Sequence, residues 1–204
     1  FNSFIDGTKS GIEMAAVANA CDLMPGPDGL GFPPADLSEL PHLLKPTADG
    51  GTLARRGTVE VVSSVRRNGQ AIEQNLRWGV YVTFEAPGDY QVKCFGEYGL
   101  VTDDSKRFSA LWRPYHLIGL ELGISVASVA LRHEATGSPT GWRADVVATA
   151  KRDLKAGETL DGEGGYTVWG KLMPADASLA LGGLPIGLAH GVRLKTAIAA
   201  GRPV

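Results

Sequence analysis

The opening stretch, Phe1 to Ala20, constrains this chain more than any other. Residues rich in hydroxyl, amide and charged groups run without a break into an Ala-rich segment. No Gly or Pro intervenes from Ile12 to Met24, and Ile12, Ala15, Ala16 and Asn19 recur at helical spacing, which predicts a helix over 11–24. The polar residues before it admit two readings. In one, Thr8 or Ser10 is the N-cap, with Glu13 three residues after Ser10 in the capping-box relation. In the other, Asp6, Lys9 and Glu13 point into a cleft, where a lysine and two carboxylates at a helix start bind a polar substrate and move a proton. The chain opens in residues that read as mid-protein, so an N-terminal domain upstream is expected.

Downstream, Gly and Pro punctuate the chain. Met24 to Pro34 is an irregular loop, Asp36–Leu40 has room for one helical turn before Pro41, and Lys45 to Gly57 is polar and Gly-rich. An excursion this long between core elements usually covers a site or a partner surface. Strands are predicted at Thr58–Val65, Leu76–Glu85 and Tyr90–Phe95, with an Asn-Gly turn at 68–69 and Pro87-Gly88-Asp89 between the last two. In the middle strand Trp78, Val80, Val82 and Phe84 share one face, and Tyr81 and Thr83 the other. Tight connections imply an antiparallel sheet. A second helix is predicted over 115–132, with Pro114 at its start and Gly119, Gly123 and Ala127 as a small-residue ridge. Arg113, Tyr115 and His116 lie at or before its N-terminus, which suits an anion. His116 reads equally as a capping or core histidine.

Gly137 to Gly141 marks a domain boundary, giving residues 1–141 and 142–204. The second part holds short strands with Gly at the corners, including Ala144–Ala150 and Tyr166–Leu172. The fold class expected is α+β, with helices 11–24 and 115–132 covering one face of the 58–95 sheet and a small β-rich domain after it.

Composition excludes several function classes. A net charge of −2 gives nucleic acid or an anionic membrane no electrostatic handle. No apolar run approaches the roughly 18–20 residues of a membrane span. Cys21 and Cys94 stand in unrelated contexts and read as buried thiols, which fits a reducing cytoplasmic setting. There is no Walker A loop, no Gly-x-Gly-x-x-Gly after a strand, no His-Glu-x-x-His, no Cys-x-x-Cys and no Gly-x-Ser-x-Gly. The histidines are scattered. Asp6, Glu13, Glu121, Asp161 and Glu163 are of the type that binds a hard divalent cation, but their spacing singles out no metal site.

Two resemblances add to this reading. Ala148-Thr149-Ala150-Lys151-Arg152-Asp153-Leu154-Lys155-Ala156-Gly157-Glu158-Thr159-Leu160, together with Ala199-Ala200-Gly201-Arg202-Pro203-Val204, resembles the SAF module, a β-clip unit found in antifreeze-like, sugar-acid dehydratase and P-ring chaperone proteins. The first segment and Trp112-Arg113-Pro114-Tyr115-His116-Leu117 resemble the reductoisomerase-like branch of homoserine-dehydrogenase-type oxidoreductases. That likeness implies an upstream Rossmann domain that binds NADPH, a catalytic and dimerisation domain, and a C-terminal SAF-like domain. It also implies a phosphorylated substrate, a homodimer and an activity similar to that of 1-deoxy-D-xylulose 5-phosphate reductoisomerase. Asp6 and Ser10-Gly11-Ile12-Glu13 look like the Asp-Leu-Ser-Gly-x-Asp run of homoserine dehydrogenases, with Glu13 at the catalytic-cleft Asp. Where that family has a catalytic lysine four residues on, this sequence has Val17, and Lys9 is the nearest replacement.

The resemblance therefore implies Lys9, Glu13 and Asp6 as catalytic residues. Asn2, Ser3, Thr8, Arg113, Tyr115 and His116 become substrate-binding candidates, with a divalent metal as an option. Without the nicotinamide domain these residues are expected to have no reductase activity. Two other readings are a dehydrogenase of another hydroxy-acid and a SAF-containing module that binds carbohydrate or protein.

Overall fold

The computed structural model describes residues Phe1–Val204. In chain order the helices are α1 (Asn2–Ile5), α2 (Thr8–Cys21), α3 (Leu40–Leu43), α4 (Asp89–Glu97), α5 (Leu122–Ala127, continued by a π-helical turn over Ser128–Arg132) and α6 (Ala175–Leu181). The strands are β1 (Met24–Pro25), β2 (Thr58–Val59), β3 (Val80–Glu85), β4 (Phe108–Arg113), β5 (Ala144–Ala150), β6 (Thr159–Asp161), β7 (Val168–Pro174) and β8 (His190–Arg193). They pair two by two: β1 with β2 in parallel, and β3 with β4, β5 with β7 and β6 with β8 antiparallel. The class is α+β.

The chain forms two compact units that interleave in sequence. One comprises Phe1–Gly31, Gly57–Glu60 and Ser138–Val204; the other comprises Phe32–Arg56 and Val61–Gly137. The chain crosses from one to the other beside the Gly137–Gly141 break. The contacts do not follow a consecutive division at 141, because α2 packs on β5 and β7 and joins the N-terminal residues to the C-terminal strands.

In the first unit, the buried face of α2 is built from small residues, Thr8, Gly11, Ala15 and Ala18. Small residues let the helix approach the sheet closely: a Cβ on Gly11 would lie 3.4 Å from the Gly170 carbonyl oxygen. Ala15, Ala18, Val146, Ala148, Leu160, Val168, Leu172 and Leu194 share one core, and burying each of the larger side chains is worth about 1.5–3 kcal/mol. The helix expected over 11–24 therefore begins earlier, at Thr8, and ends at Cys21, where Asp22 adopts φ 57° and closes it. It covers β5 and β7, not the sheet expected at 58–95. The helix α6 has no counterpart among the elements expected from the sequence.

In the second unit, Ala35, Leu40, Leu44, Leu76 and Ala110 form a smaller core, with Tyr81 and Trp112 on the inner face of β3–β4 packed against it. The strand expected at Leu76–Glu85 begins only at Val80, and three more expected elements differ, the first of them with its strand residues in the first unit. The Thr58–Val65 run makes strand only at Thr58–Val59, because β1 offers a two-residue partner. Tyr90–Phe95 is helical: Asp89 occupies the first turn, Lys93 pairs with Glu97 one turn on at 3.6 Å, and Phe95 meets Phe84 edge-on at 5.4 Å. The segment after Pro114 stays a loop up to Glu121, whose carboxylate takes both Arg113 and the Leu117 N–H. The helix therefore starts only at Leu122. The Asn-Gly turn forms as read, with Gly69 at φ 86°.

Candidate functional site

The turn between α1 and α2 gathers most of the residues the sequence singled out. Gly7, at φ 84°, reverses the chain between the two helices. Asp6 then reaches back over the turn, and its Oδ1 accepts the Thr8 N–H at 2.9 Å. Its Oδ2 faces Lys151 Nζ at 2.7 Å, an ion pair that is only 16% and 23% exposed. Burial disfavours the ionised carboxyl, but Lys151 and the Thr8 hydroxyl and amide outweigh it and hold Asp6 below the ordinary aspartate range.

Lys151 Nζ also donates to the Gly165 carbonyl at 2.6 Å, and Asn2 Nδ2 donates to the Gly164 carbonyl at 3.0 Å. The loop carrying those carbonyls is knotted by Asp161, which accepts the Tyr166 N–H at 2.6 Å, the Thr167 N–H at 3.0 Å and the Thr167 hydroxyl. A Cβ on Gly165 would lie 2.1 Å from Asp161 Cγ, so the knot closes only around glycine. Asp161 is also held below its ordinary range, because these donors outweigh burial.

The other predicted residues of this turn divide into two groups. Thr8 is fully buried, and its hydroxyl oxygen accepts the Gly170 N–H at 2.8 Å. It braces α2 on β7, as Ser3, also buried, lines the inner side of α1. Lys9 and Glu13 stand one turn apart on α2; Glu13 is exposed, and the Lys9 ammonium lies 5.0 Å from the Phe4 ring centroid. No ion pair ties them to each other, which leaves both charges open to a ligand.

In the second unit, Arg113 pairs with Glu121 and stacks over the Tyr115 ring at 4.5 Å, with Tyr115 and His116 exposed. The guanidinium is thus already neutralised, and a phosphate would compete with Glu121 for it. The same unit holds a buried pair, Lys45 with Asp103 at 2.7 Å, in which Asp103 is 2% exposed. Asp103 is further satisfied by Ser105 and the Phe108 N–H, and these partners outweigh burial in keeping its carboxyl ionised.

Lys151, Gly164, Gly165 and Asp161 are the members of the site that sequence reasoning missed. No local spacing links residue 6 to residue 151. The one signal was that Lys151 is charged yet directly follows a strand whose residues are almost all buried.

These residues do not fit a nicotinamide dinucleotide. Parallel pairing is limited to the two-residue strands β1 and β2 and to two isolated bridges, Pro34 with Ser63 and Pro46 with Leu53, so no parallel sheet offers a crevice at its carboxyl end. No three His, Cys, Asp or Glu side chains converge in a metal-binding arrangement. No helix is long and apolar enough to cross a membrane.

Comparison with known proteins points to an oxidoreductase catalytic domain. The family model described as the catalytic domain of oxidoreductase DRL matches residues 1–122. No curated protein matches the chain. Because the match spans more than half of the 204 residues and includes the whole α1–α2 turn, the chain belongs to the DRL oxidoreductase family and carries its catalytic domain.

Proposed function

We propose that the chain is the catalytic portion of an NADPH-dependent reductoisomerase that acts on a keto-sugar phosphate. The substrate to test is 1-deoxy-D-xylulose 5-phosphate, with 2-C-methyl-D-erythritol 4-phosphate, an isoprenoid precursor, as product. The observation that carries this reading is a half-buried Lys9 and an exposed Glu13, one helical turn apart and in no ion pair, inside the region matched as an oxidoreductase catalytic domain. Rearranging a keto-sugar phosphate requires a group that moves a hydroxyl proton and positive charge that stabilises the enediolate. Glu13 suits the first task and Lys9 the second, while Asp6 orders the turn that presents them.

Arg113, Tyr115 and His116 are kept as candidates for binding a phosphate, which would have to replace Glu121 on the guanidinium. The hydride is supplied by the nicotinamide, which we assign to a Rossmann domain outside these residues; a divalent cation is optional. The C-terminal strands serve as the SAF-like β-clip, and the protein works in the cytoplasm as a homodimer. The dimer is supported by the exposed outer face of β3–β4, with Val80, Val82 and Leu111, and by the apolar residues around α5, where Leu120 is 81% exposed. Exposed apolar surface of that kind generally marks an interface when it is contiguous.

The test follows NADPH absorbance in the protein together with its nicotinamide-binding domain, with 1-deoxy-D-xylulose 5-phosphate as substrate. Lys9→Ala and Glu13→Gln should each lower kcat by about a hundredfold or more. Full turnover in both variants would remove the catalytic assignment. No turnover in the wild type would replace this substrate with another keto- or hydroxy-acid.

A further inference from the structure

Lys151 lies beyond the residues matched to the oxidoreductase catalytic domain, at the end of β5. A lysine ammonium has three N–H donors. Asp6 and the Gly165 carbonyl account for two of them, and the side chain keeps 23% of its exposure. Fixing one turn to one loop does not explain why a charged pair is used for the purpose. Asn2 already ties α1 to the same loop through Gly164, and Thr8 already ties α2 to β7 through Gly170, in both cases with neutral donors. A partly buried ion pair is a costly replacement for such bonds.

The pair's electrostatics narrow its use. Asp6 cancels the ammonium charge, so Lys151 is a poor site for a phosphate dianion. It is a well-oriented donor for a neutral oxygen that becomes negative during reaction, because its direction is fixed by two short contacts before any ligand arrives.

We infer that Lys151 is a second catalytic lysine of this site, donating its remaining N–H to the carbonyl or hydroxyl oxygen of the substrate. The inference rests on the reading of the α1–α2 turn as the active site of a keto-sugar phosphate enzyme. It adds that this site is completed by the C-terminal strands. Asp6 and Asp161 are then positioning residues: Asp6 orients the ammonium directly, and Asp161 sets the loop that carries the Gly165 carbonyl.

The test uses the chain with 15N-labelled lysine side chains. The Nζ signals of Lys9 and Lys151 are assigned with Lys9→Arg and Lys151→Arg. Titration with 1-deoxy-D-xylulose 5-phosphate should move the Lys151 signal, and inorganic phosphate at the same concentration should not. A Lys9 signal that moves while Lys151 stays fixed overturns the inference and leaves the wider reading intact. Two stationary signals overturn both. A Lys151 signal that moves as far with inorganic phosphate makes it an anion contact and overturns the assigned role.

In the turnover assay, the double variant Asp6→Asn/Lys151→Met leaves neither charge unpaired. It should lose about a hundredfold in kcat with KM changed little. A double variant that keeps wild-type kcat overturns the inference.

Discussion

The two compact units keep their shape by different means. The first has a wide apolar core under α2, to which β5, β7, β6 and β8 all contribute, and its glycines allow close helix–sheet contact. The second has a core of five buried residues and more ion pairs than the first, among them the buried Lys45–Asp103, and Arg56 with both Asp49 and Glu85. Its outer surface is also richer in exposed large apolar side chains, from Val80 and Val82 to the run between Leu117 and Leu131. The contrast is that a unit with little core of its own depends more on specific polar contacts inside and leaves more apolar surface exposed. Three experiments test it.

The largest effect is expected from Lys45→Met. Removing the ammonium leaves Asp103 ionised and buried, which costs about 3 kcal/mol. Hydrogen exchange should show faster exchange at Ala110 and Leu44, in the second unit, with Val146 and Ala148 in the first unchanged. Equal acceleration in both units would mean that they unfold together, and the contrast would fail.

Thr8→Val comes next. It preserves shape but leaves the buried Gly170 N–H without its partner, a loss of about 1–3 kcal/mol in the first unit. Thr8→Ser should retain most of the stability. Urea unfolding measures both variants; a neutral Thr8→Val would return Thr8 to the list of substrate-binding candidates.

The smallest effect on folding, within about 0.5 kcal/mol, is expected from Leu120→Lys with Leu131→Lys, since both side chains are about four-fifths exposed. Sedimentation should nevertheless show a dimer replaced by monomer. A dimer that persists would place the subunit contact elsewhere.

Much of the local structure was legible. The Ala-rich helix, the strand at Ala144–Ala150, the Asn-Gly turn and the alternation of Val80, Val82 and Phe84 with Tyr81 and Thr83 follow from periods and turn chemistry carried by neighbouring residues, whereas Trp78, at φ 69°, lies in the turn before the strand. The site was legible in part. Asp6, Lys9 and Glu13 are close in sequence, so their grouping on one turn could be read. Whether Thr8 met solvent or Gly170 could not, because a hydroxyl serves either role.

The α+β class, the polar turn at the head of α2 and the absence of a phosphate-binding glycine motif were written locally, since each depends on residues within one or two turns of one another. Tertiary structure decided the rest. Tyr90–Phe95 became helix because Phe95 found Phe84 and Lys93 found Glu97. The Thr58–Val65 run stayed mostly outside a sheet because its partner strand is two residues long. Lys151 reached Asp6 only because α2 lies on β5 and β7. The physical reason is common to all three: a strand needs a partner and a charge needs a counter-charge, and neither partner is written near it in the chain.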